Sequence, residues 1–305
     1  MYDRNPAPIP KLQMTMAMVL ASVALGALKE LTICYGGSCS RCGAKKPFAE
    51  VAQALTCTTP SDECEVRMVG CLGPCPNNGV AVQALGLPGR GKWVIQPKFT
   101  EENAALNAVD AAAEVLSTDF GLDVEAPRAA LISKLLGDDA AERGNNLGAI
   151  SAYGEAVDSE LARSLVEQAR QAAALDDSPV ELPRFGLTAG LTYEREYARL
   201  RPGRVRWLFE ALIGRCQARL AEGGRDNAVA ALADATDASA LCKLAGEGWY
   251  RMRDAAKASG DDATAAVAVA ELKRLGYSLE EGQEGLQAAG AKPAMKLDYW
   301  GRPMA

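Results

Sequence analysis

The chain has 305 residues, of which 49% are hydrophobic and 24% charged, and its formal net charge is −6. This composition is that of a soluble globular protein, and the length suggests two domains. The chain contains no histidine, which excludes histidine-based catalysis, histidine metal ligation and Rieske-type clusters. An acidic balance without a cluster of Lys and Arg also disfavours nucleic-acid binding.

The N-terminal segment, residues 1–27, is strongly apolar. No charged residue lies between Lys11 and Lys29, and this run is only just long enough to span a bilayer or to form the apolar region of a signal sequence. The first predicted strand begins almost directly after it. We therefore expect a packed helix or a targeting remnant, with membrane contact only through residues 12–28 or through partners.

Six elements are predicted between residues 28 and 118, in the order β-α-β-β-β-α. The first strand, 30–33, runs into Cys34, and the second, 65–70, runs into Cys71. A hairpin of strands 79–83 and 92–96 and a helix capped by Thr100 complete this domain. The helix between the first two strands is amphipathic, with apolar residues at the i, i+3, i+4 and i+7 positions: Phe48, Val51, Ala52 and Leu55.

Two pairs of cysteines stand on the loops that leave the first two strands. Four residues separate Cys34 from Cys39, and three separate Cys71 from Cys75. A [2Fe–2S] cluster needs thiolates that converge on one small volume, and two loops that each supply both ligands of one iron achieve this. Structural zinc sites favour the tighter C-x2-C spacing, which neither pair has. The spacing therefore favours an iron–sulfur site.

These features together resemble a known family. A strand, C-x4-C, a helix, a strand, the sequence GCLGPC, a hairpin with Trp93 and a closing helix are similar to the thioredoxin-like [2Fe–2S] ferredoxins. That family includes the Shethna-type bacterial proteins and the small cluster subunit of respiratory complex I. The resemblance covers residues 28–118 and implies a one-electron carrier, rather than an enzyme with its own substrate. Its implied cluster ligands are Cys34, Cys39, Cys71 and Cys75.

The chain departs from the family pattern at two places. Residues 76–79 read Pro-Asn-Asn-Gly, where the family often has Gly-Pro, so the loop that covers the cluster is expected to differ in shape. Cys42 stands where a basic or small residue is common, which makes it an alternative ligand. Either departure bears on the exposure or the potential of the cluster.

Cys42 also opens two other interpretations. With Cys34 and Cys39 it reproduces the C-x4-C-x2-C spacing of plant-type ferredoxins, and Cys57 resembles their distant fourth ligand. That fold places several strands before its first cysteine, where this chain has its Met/Ala/Leu run. Alternatively, Cys39 and Cys42 form the C-x-x-C of a thiol–disulfide oxidoreductase, with Arg41 lowering a thiol pKa. This second interpretation leaves the other three predicted ligands unexplained.

The remaining cysteines receive no metal role. Cys57 and Cys64 bracket a polar loop and could pair under oxidation, although two thiols are expected in a reducing compartment. Cys216 and Cys242 fall on apolar helical faces, where a thiol is usually a small core residue.

Beyond Phe120 alanine dominates and a helical period continues. The segment from Leu136 and Gly137 to Ala156 resembles a tetratricopeptide repeat, with Gly144 at its turn and Ala149 and Tyr153 on its second helix. Two weaker echoes each have a glycine at the turn and small or apolar residues on the second helix. They are Gly223 with Ala228, Leu232 and Ala235, and Gly260 with Ala265, Val269 and Leu272, where Trp249 and Ala256 fill positions of the first helix. The two glycines are 37 residues apart, near the period of about 34 residues of such repeats. The resemblance implies a concave surface for partners, and an ordinary alanine-rich bundle is the alternative.

The sequence thus predicts an α+β thioredoxin-like ferredoxin domain (28–118), an all-α domain similar to tetratricopeptide repeats (119–280) and a C-terminal docking tail (281–305). Its expected function is one-electron transfer within a larger respiratory or photosynthetic redox complex, as a subunit or assembly factor. The alternative is a scaffold subunit whose ferredoxin domain is structural or cluster-free. The expected location is a plastid (chloroplast) or another energy-converting organelle, with a bacterial cytoplasm as the alternative.

Overall fold

A computed structural model describes the seven stretches 29–34, 45–59, 64–69, 80–85, 92–95, 104–175 and 203–277, together with residue 279. The chain divides into two compact units, one formed by residues 1–52 with 58–122 and the other by residues 53–57 with 123–305. All the strands described belong to the first unit, and the second is helical. The prediction of a helical domain in the C-terminal part of the chain is confirmed.

The first unit contains a four-stranded sheet in the order β2-β1-β3-β4. β1 is parallel to β2 and antiparallel to β3, which is antiparallel to β4. A parallel pair needs a crossover connection, and the helix α1 lies within it; a second helix, α2, follows the sheet. The bounds are β1 Lys29–Cys34, α1 Lys45–Leu55, β2 Cys64–Val69, β3 Val80–Leu85, β4 Lys92–Ile95 and α2 Ala104–Phe120.

The buried residues of this unit follow the predicted patterns. Leu31 and Ile33 alternate along β1 and are fully buried, while Thr32 between them is only 4% exposed. A strand that is covered on both faces is expected in the interior of a sheet, which agrees with the place of β1 between β2 and β3. The predicted apolar face of α1 is confirmed, because Phe48, Val51, Ala52 and Leu55 are all buried.

The second unit consists of helices joined mostly by short turns. Consecutive helices pack as the pairs α3/α4, α6/α7 and α8/α9, and the pairs contact each other through α4 with α6 and α7 with α8. The helix α5 packs mainly on α7. The bounds are α3 Glu125–Glu142, α4 Asn146–Val157, α5 Glu160–Leu175, α6 Arg206–Glu222, α7 Arg225–Leu241, α8 Gly246–Ser259 and α9 Asp262–Arg274, with a 3-10 turn at Gly203–Val205.

Glycine makes the turn within each of these pairs. Gly144, Gly223 and Gly260 have φ angles of 72°, 74° and 84°, a left-handed region in which a side chain is strained. The residue after the turn glycine caps the second helix in two of the pairs. Asn145 accepts from the amide of Gly148 in α4, and Asp261 accepts from the amide of Thr264 in α9, both at 3.0 Å. The three turn glycines predicted from the sequence are therefore confirmed.

The core of the later helices is built largely from small residues. Alanines from α7, α8 and α9 surround Cys216 of α6, and the larger side chains of Leu220, Leu232 and Trp249 pack against the edge of this cluster. The indole of Trp249 donates to the carbonyl of Lys243 at 2.8 Å. Small side chains allow the helix axes to approach closely, so the alanine-rich sequence corresponds to a tightly stacked set of helices.

The ring of Tyr153 on α4 is buried between two glycine backbones. A Cβ atom on Gly137 of α3 would lie 2.5 Å from Cδ1 of this ring, and one on Gly214 of α6 would lie 2.5 Å from its Cζ. The hydroxyl donates to Oδ1 of Asp138 at 2.8 Å. Since only glycine leaves room for the ring on either side, these two glycines determine how closely α4 packs on α3 and on α6.

This packing predicts opposite effects for two glycine-to-alanine changes in neighbouring helices. Gly214→Ala places a methyl group against Tyr153, and we expect the overpacking to lower the free energy of unfolding by about 1–3 kcal/mol. At Gly154 the nearest atoms to an added Cβ are at 3.8 and 3.9 Å, an ordinary contact. Gly154→Ala should therefore stabilise the helix by about 0.5–1 kcal/mol.

Urea unfolding followed by circular dichroism at 222 nm measures both changes. Equal midpoints for Gly214→Ala and Gly154→Ala would show that Tyr153 does not need the space above Gly214.

Candidate functional site

The carboxyl ends of β1 and β2 lie side by side. In the parallel register between these strands, Cys34, the last residue of β1, is paired with Val69, the last residue of β2. Parallel neighbours are about 4.8 Å apart, and the chain continues from both strands at the same edge of the sheet. Open sheets of this kind commonly bind ligands at the carboxyl ends of their parallel strands.

The predicted cluster ligands are only partly within the described structure. The backbone of Cys34 is placed at the end of β1, whereas Cys39, Cys71, Cys75 and the alternative ligand Cys42 lie outside the described residues. Within the described ranges, no group of three or more Cys, Asp or Glu side chains is arranged to hold a metal ion. The four predicted ligands therefore remain a prediction from the sequence, and the structure provides the frame from which their loops start.

The register of β1 and β2 is fixed by burial. Moving β1 by one residue would turn Leu31 and Ile33 to the other face of the sheet, although both are fully buried. Across the pair, Arg67 of β2 approaches Glu30 of β1 at 3.9 Å, and within β2 it donates to Glu65 at 2.7 Å. Such exposed ion pairs contribute little, so the apolar residues of β1 hold Cys34 opposite Val69.

The first residue of β3, Val80, also lies near this edge of the sheet. β1 lies between β2 and β3, and β3 runs antiparallel to β1. Val69 and Val80 therefore lie on opposite sides of β1 and towards its carboxyl end. Both Cys71 and Cys75 fall in the ten residues between them, 70–79, which connect the two flanking strands.

The other cysteines are placed away from this edge or inside the helical core. Cys64 pairs with Lys29 at the opposite ends of β2 and β1, about 16 Å along the strand from Val69. Cys216 is fully buried, and burial raises the pKa of its thiol to about 12. The prediction of a helical face for Cys242 is wrong, because α7 ends at Leu241 and Cys242 is its partly buried C-cap residue; burial also raises the pKa of its thiol. Thiols that resist ionisation are poor metal ligands and nucleophiles, and the core position predicted for Cys216 is confirmed.

Charged side chains join α3 to α6. Nζ of Lys134 is 2.7 Å from Oδ2 of Asp138 and 2.9 Å from Oε2 of Glu210, which also accepts from Arg206. Burial opposes the charge of Lys134, but Glu210 and Asp138 outweigh it, so the pKa of Lys134 is raised. Burial likewise opposes ionisation of Glu210, yet Lys134 and Arg206 lower its pKa. Both groups stay charged at neutral pH, which suits a structural contact better than acid–base chemistry.

A second ion pair is buried between α6 and α7. The side chains of Arg215 and Asp234 are only 8% and 3% exposed, and Nη2 of the arginine lies 2.7 Å from Oδ1 of the aspartate. Arg219 donates to the other oxygen of Asp234 at 2.6 Å, and Asp158 accepts from Arg215 at 3.0 Å. Burial opposes the charge of Arg215, but Asp234 and Asp158 outweigh this effect and raise its pKa.

Sequence reasoning did not identify these two charged networks. One signal was available for the buried pair: Arg215 directly precedes Cys216, which was assigned to an apolar helical face, and Asp234 directly precedes Ala235 in the next helix. Opposite charges on the apolar faces of consecutive helices indicate a buried ion pair, because burying a single unpaired charge costs several kcal/mol of desolvation energy.

Among the residues that the structure describes, no helix combines the length and apolar character needed to cross a membrane, and residues 12–28 lie outside them. Comparison of this chain with protein-family models, with curated proteins and with solved structures found no match.

The buried pair predicts a large difference between two aspartates of α7. Asp234→Asn removes the buried anionic partner of Arg215 and leaves only Asp158, which is 70% exposed, so we expect a loss of about 3–5 kcal/mol in the free energy of unfolding. Asp237 pairs with Arg170, whose side chain is 53% exposed, so Asp237→Asn should cost only about 0–1 kcal/mol. Chemical denaturation of the two variants in parallel tests this, and similar losses would contradict a special role for Asp234.

The lowered pKa of Glu210 predicts a pH-dependent contribution to stability. Its stabilising effect is fully present above the unfolded-state pKa of about 4.3 and is lost as the pH falls through the lower folded-state value. The melting temperatures of the wild type and Glu210→Gln should thus differ most above about pH 5 and converge in stronger acid. Glu114→Gln, on the exposed face of α2, is the control. A difference in melting temperature between the wild type and Glu210→Gln that does not change with pH would contradict the lowered pKa of Glu210.

Proposed function

We propose that the chain is a one-electron carrier that holds a [2Fe–2S] cluster beyond the carboxyl ends of β1 and β2. In this proposal the helical unit docks it as a subunit or assembly factor of a larger respiratory or photosynthetic redox complex. One observation carries the proposal: the parallel pairing that sets Cys34 opposite Val69. Both cysteine-bearing loops thereby start from neighbouring positions at one edge of the sheet.

Chain geometry limits how far apart the first ligands of the two pairs can be. Cys71 is two residues beyond Val69, so an extended chain holds it within about 7 Å of that residue. Adding the spacing of about 4.8 Å between parallel strands keeps it near Cys34. Four thiols from two such loops are the donor set that a [2Fe–2S] cluster takes, so the cysteines present fit this group.

The element order also supports the thioredoxin-like interpretation of the first unit. The described strands and helices follow the order β-α-β-β-β-α of the resemblance to these ferredoxins. The parallel β1–α1–β2 portion and the antiparallel β3/β4 hairpin share one sheet.

In this proposal, the protein positions the cluster ligands and limits the access of water to the cluster. The buried residues Leu31 and Ile33 anchor β1, so Cys34 starts its loop from a fixed point. Thiolate ligands must be deprotonated, and the cluster they hold supplies transfer of one electron at a potential tuned by burial and hydrogen bonds. No general acid or base is needed for this function, in agreement with a chain that lacks histidine.

The helical unit has features that favour docking by stacked helix pairs. Its pairs turn at Gly144, Gly223 and Gly260, and the contact of Gly137 with Tyr153 joins two positions singled out by the resemblance to tetratricopeptide repeats. Stacked helical pairs of this kind present extended surfaces to partner proteins. An alanine-rich bundle without that register is the simpler alternative.

The proposal predicts about two iron and two acid-labile sulfide ions per chain after anaerobic purification. Dithionite should bleach the visible absorbance and produce a rhombic electron paramagnetic resonance signal. Cys71→Ser and Cys34→Ser should lose the iron, because each removes one of four thiolates. Cys57→Ser is the matched control and should retain it.

Three outcomes would contradict the proposal in different ways. Loss of iron in Cys42→Ser and Cys57→Ser, with retention in Cys71→Ser, would favour plant-type ligation. A folded, colourless protein that remains iron-free after reconstitution and still binds its complex would favour a scaffold. Disulfide exchange that depends on Cys39 and Cys42 alone would favour a thiol–disulfide oxidoreductase.

A further inference from the structure

A cleft of about 580 Å³ opens where two turns of the helical unit lie next to each other. One is the α6–α7 turn, with Gly223 and Gly224, and the other is the α8–α9 turn, with Gly260. The residues around it are Arg219, Leu220, Gly223, Gly224, Arg225, Ala228, Lys257, Ala258, Ser259 and Gly260.

The cleft is positively charged although the whole chain has a net charge of −6. Its lining includes Arg219, Arg225 and Lys257 and no carboxylate. Arg219 is held in place because its Nη1 donates to Asp234 at 2.6 Å and to the carbonyl of Ala230 at 3.1 Å. Within the described part of the chain, the exposed side chains of Arg225 and Lys257 make no ion pair. They are available to an anion from outside.

The shape and lining of the cleft limit what kind of anion it accepts. Leu220 is its single large apolar residue and no aromatic ring is present, so nothing stacks on a nucleotide base or encloses an organic cofactor. The volume of the cleft lies within the range of about 300–1,000 Å³ typical of ligand pockets. The cleft is therefore far larger than a phosphate ion needs. Two separate cations suit carboxylates spaced along a chain.

We propose that this cleft binds an acidic peptide segment of a partner protein, with Arg225 and Lys257 contacting its carboxylates. The inference rests on the docking role proposed for the helical unit, but not on the cluster. The guanidinium of Arg225 matches a carboxylate in bidentate geometry, while Lys257 acts as a point charge. The positions of both side chains beside glycine turns leave the approach to them open: a Cβ atom added to Gly224 or Gly260 would meet nothing within 4 Å.

Fluorescence anisotropy with a labelled hexaglutamate peptide tests this proposal on the full-length chain. At low ionic strength we expect saturable binding that weakens as salt screens the charges. The double variant R225E/K257E should bind at least about tenfold more weakly, because it sets like charges against the peptide. R225Q/K257Q should give a smaller loss in the same direction. Circular dichroism checks that both variants are folded.

The matched control carries the same change of net charge elsewhere. R163E/K273E replaces two exposed cations, of which Lys273 lies about 16 Å along α9 from the cleft end of that helix, and it should bind like the wild type. Equal weakening by R163E/K273E and R225E/K257E would show that net charge alone attracts the peptide and would overturn the proposal. Complete displacement by millimolar inorganic phosphate at constant ionic strength would replace the peptide with a small oxyanion and overturn it as well.

Iron content measured on the same samples separates this proposal from the previous one. The Cys71→Ser variant should bind the peptide as the wild type does, because the cleft residues all belong to the helical unit. Iron-free protein with intact peptide binding would contradict the cluster alone. Iron-loaded protein that does not bind the peptide would contradict the cleft alone.

Discussion

The helical unit depends on one close contact, in which an aromatic ring rests on peptide backbone instead of on side chains. Tyr153 fills the space above Gly137 and Gly214, and its hydroxyl is tied to Asp138. Burial and this hydrogen bond raise the pKa of the tyrosine, so it remains a donor. Because the contact joins α4 to both of its neighbours, it sets the spacing at which the charged side chains of α3 and α6 meet.

The same spacing determines which charges of these helices pair with each other within the protein. Lys134 reaches Glu210 across two helices, and Arg215 reaches Asp234 within the core. Burying such pairs costs desolvation energy that their attraction only partly offsets, so their main effect is to specify how the helices align. Arg225 and Lys257 lie beyond this internal pairing, at the turns.

The features that could be predicted from the sequence are local ones. The three turn glycines, the strand that ends at Cys34 and the buried face of α1 each follow from residues close together in the chain. The pairing of Arg215 with Asp234, 19 residues apart, depends on how two helices pack, and no local pattern contains that information. The placement of α5 on α7 is non-local in the same sense. Of the predicted cluster ligands, the structure places only the backbone of Cys34.

The parallel pairing of β1 and β2 shows how a non-local feature can still be inferred. A strand, a helix and a second strand in succession favour a parallel pair, because a crossover helix returns the chain to the starting edge of the sheet. The ends of the two strands, Cys34 and Val69, are then brought together by topology, although they are 35 positions apart in the sequence. A site assembled in this way needs little from its loops beyond their ligands, since the sheet fixes where both loops begin. The electron-carrier proposal therefore depends on the strand order more than on the cysteine spacing, which other metals and other folds also use.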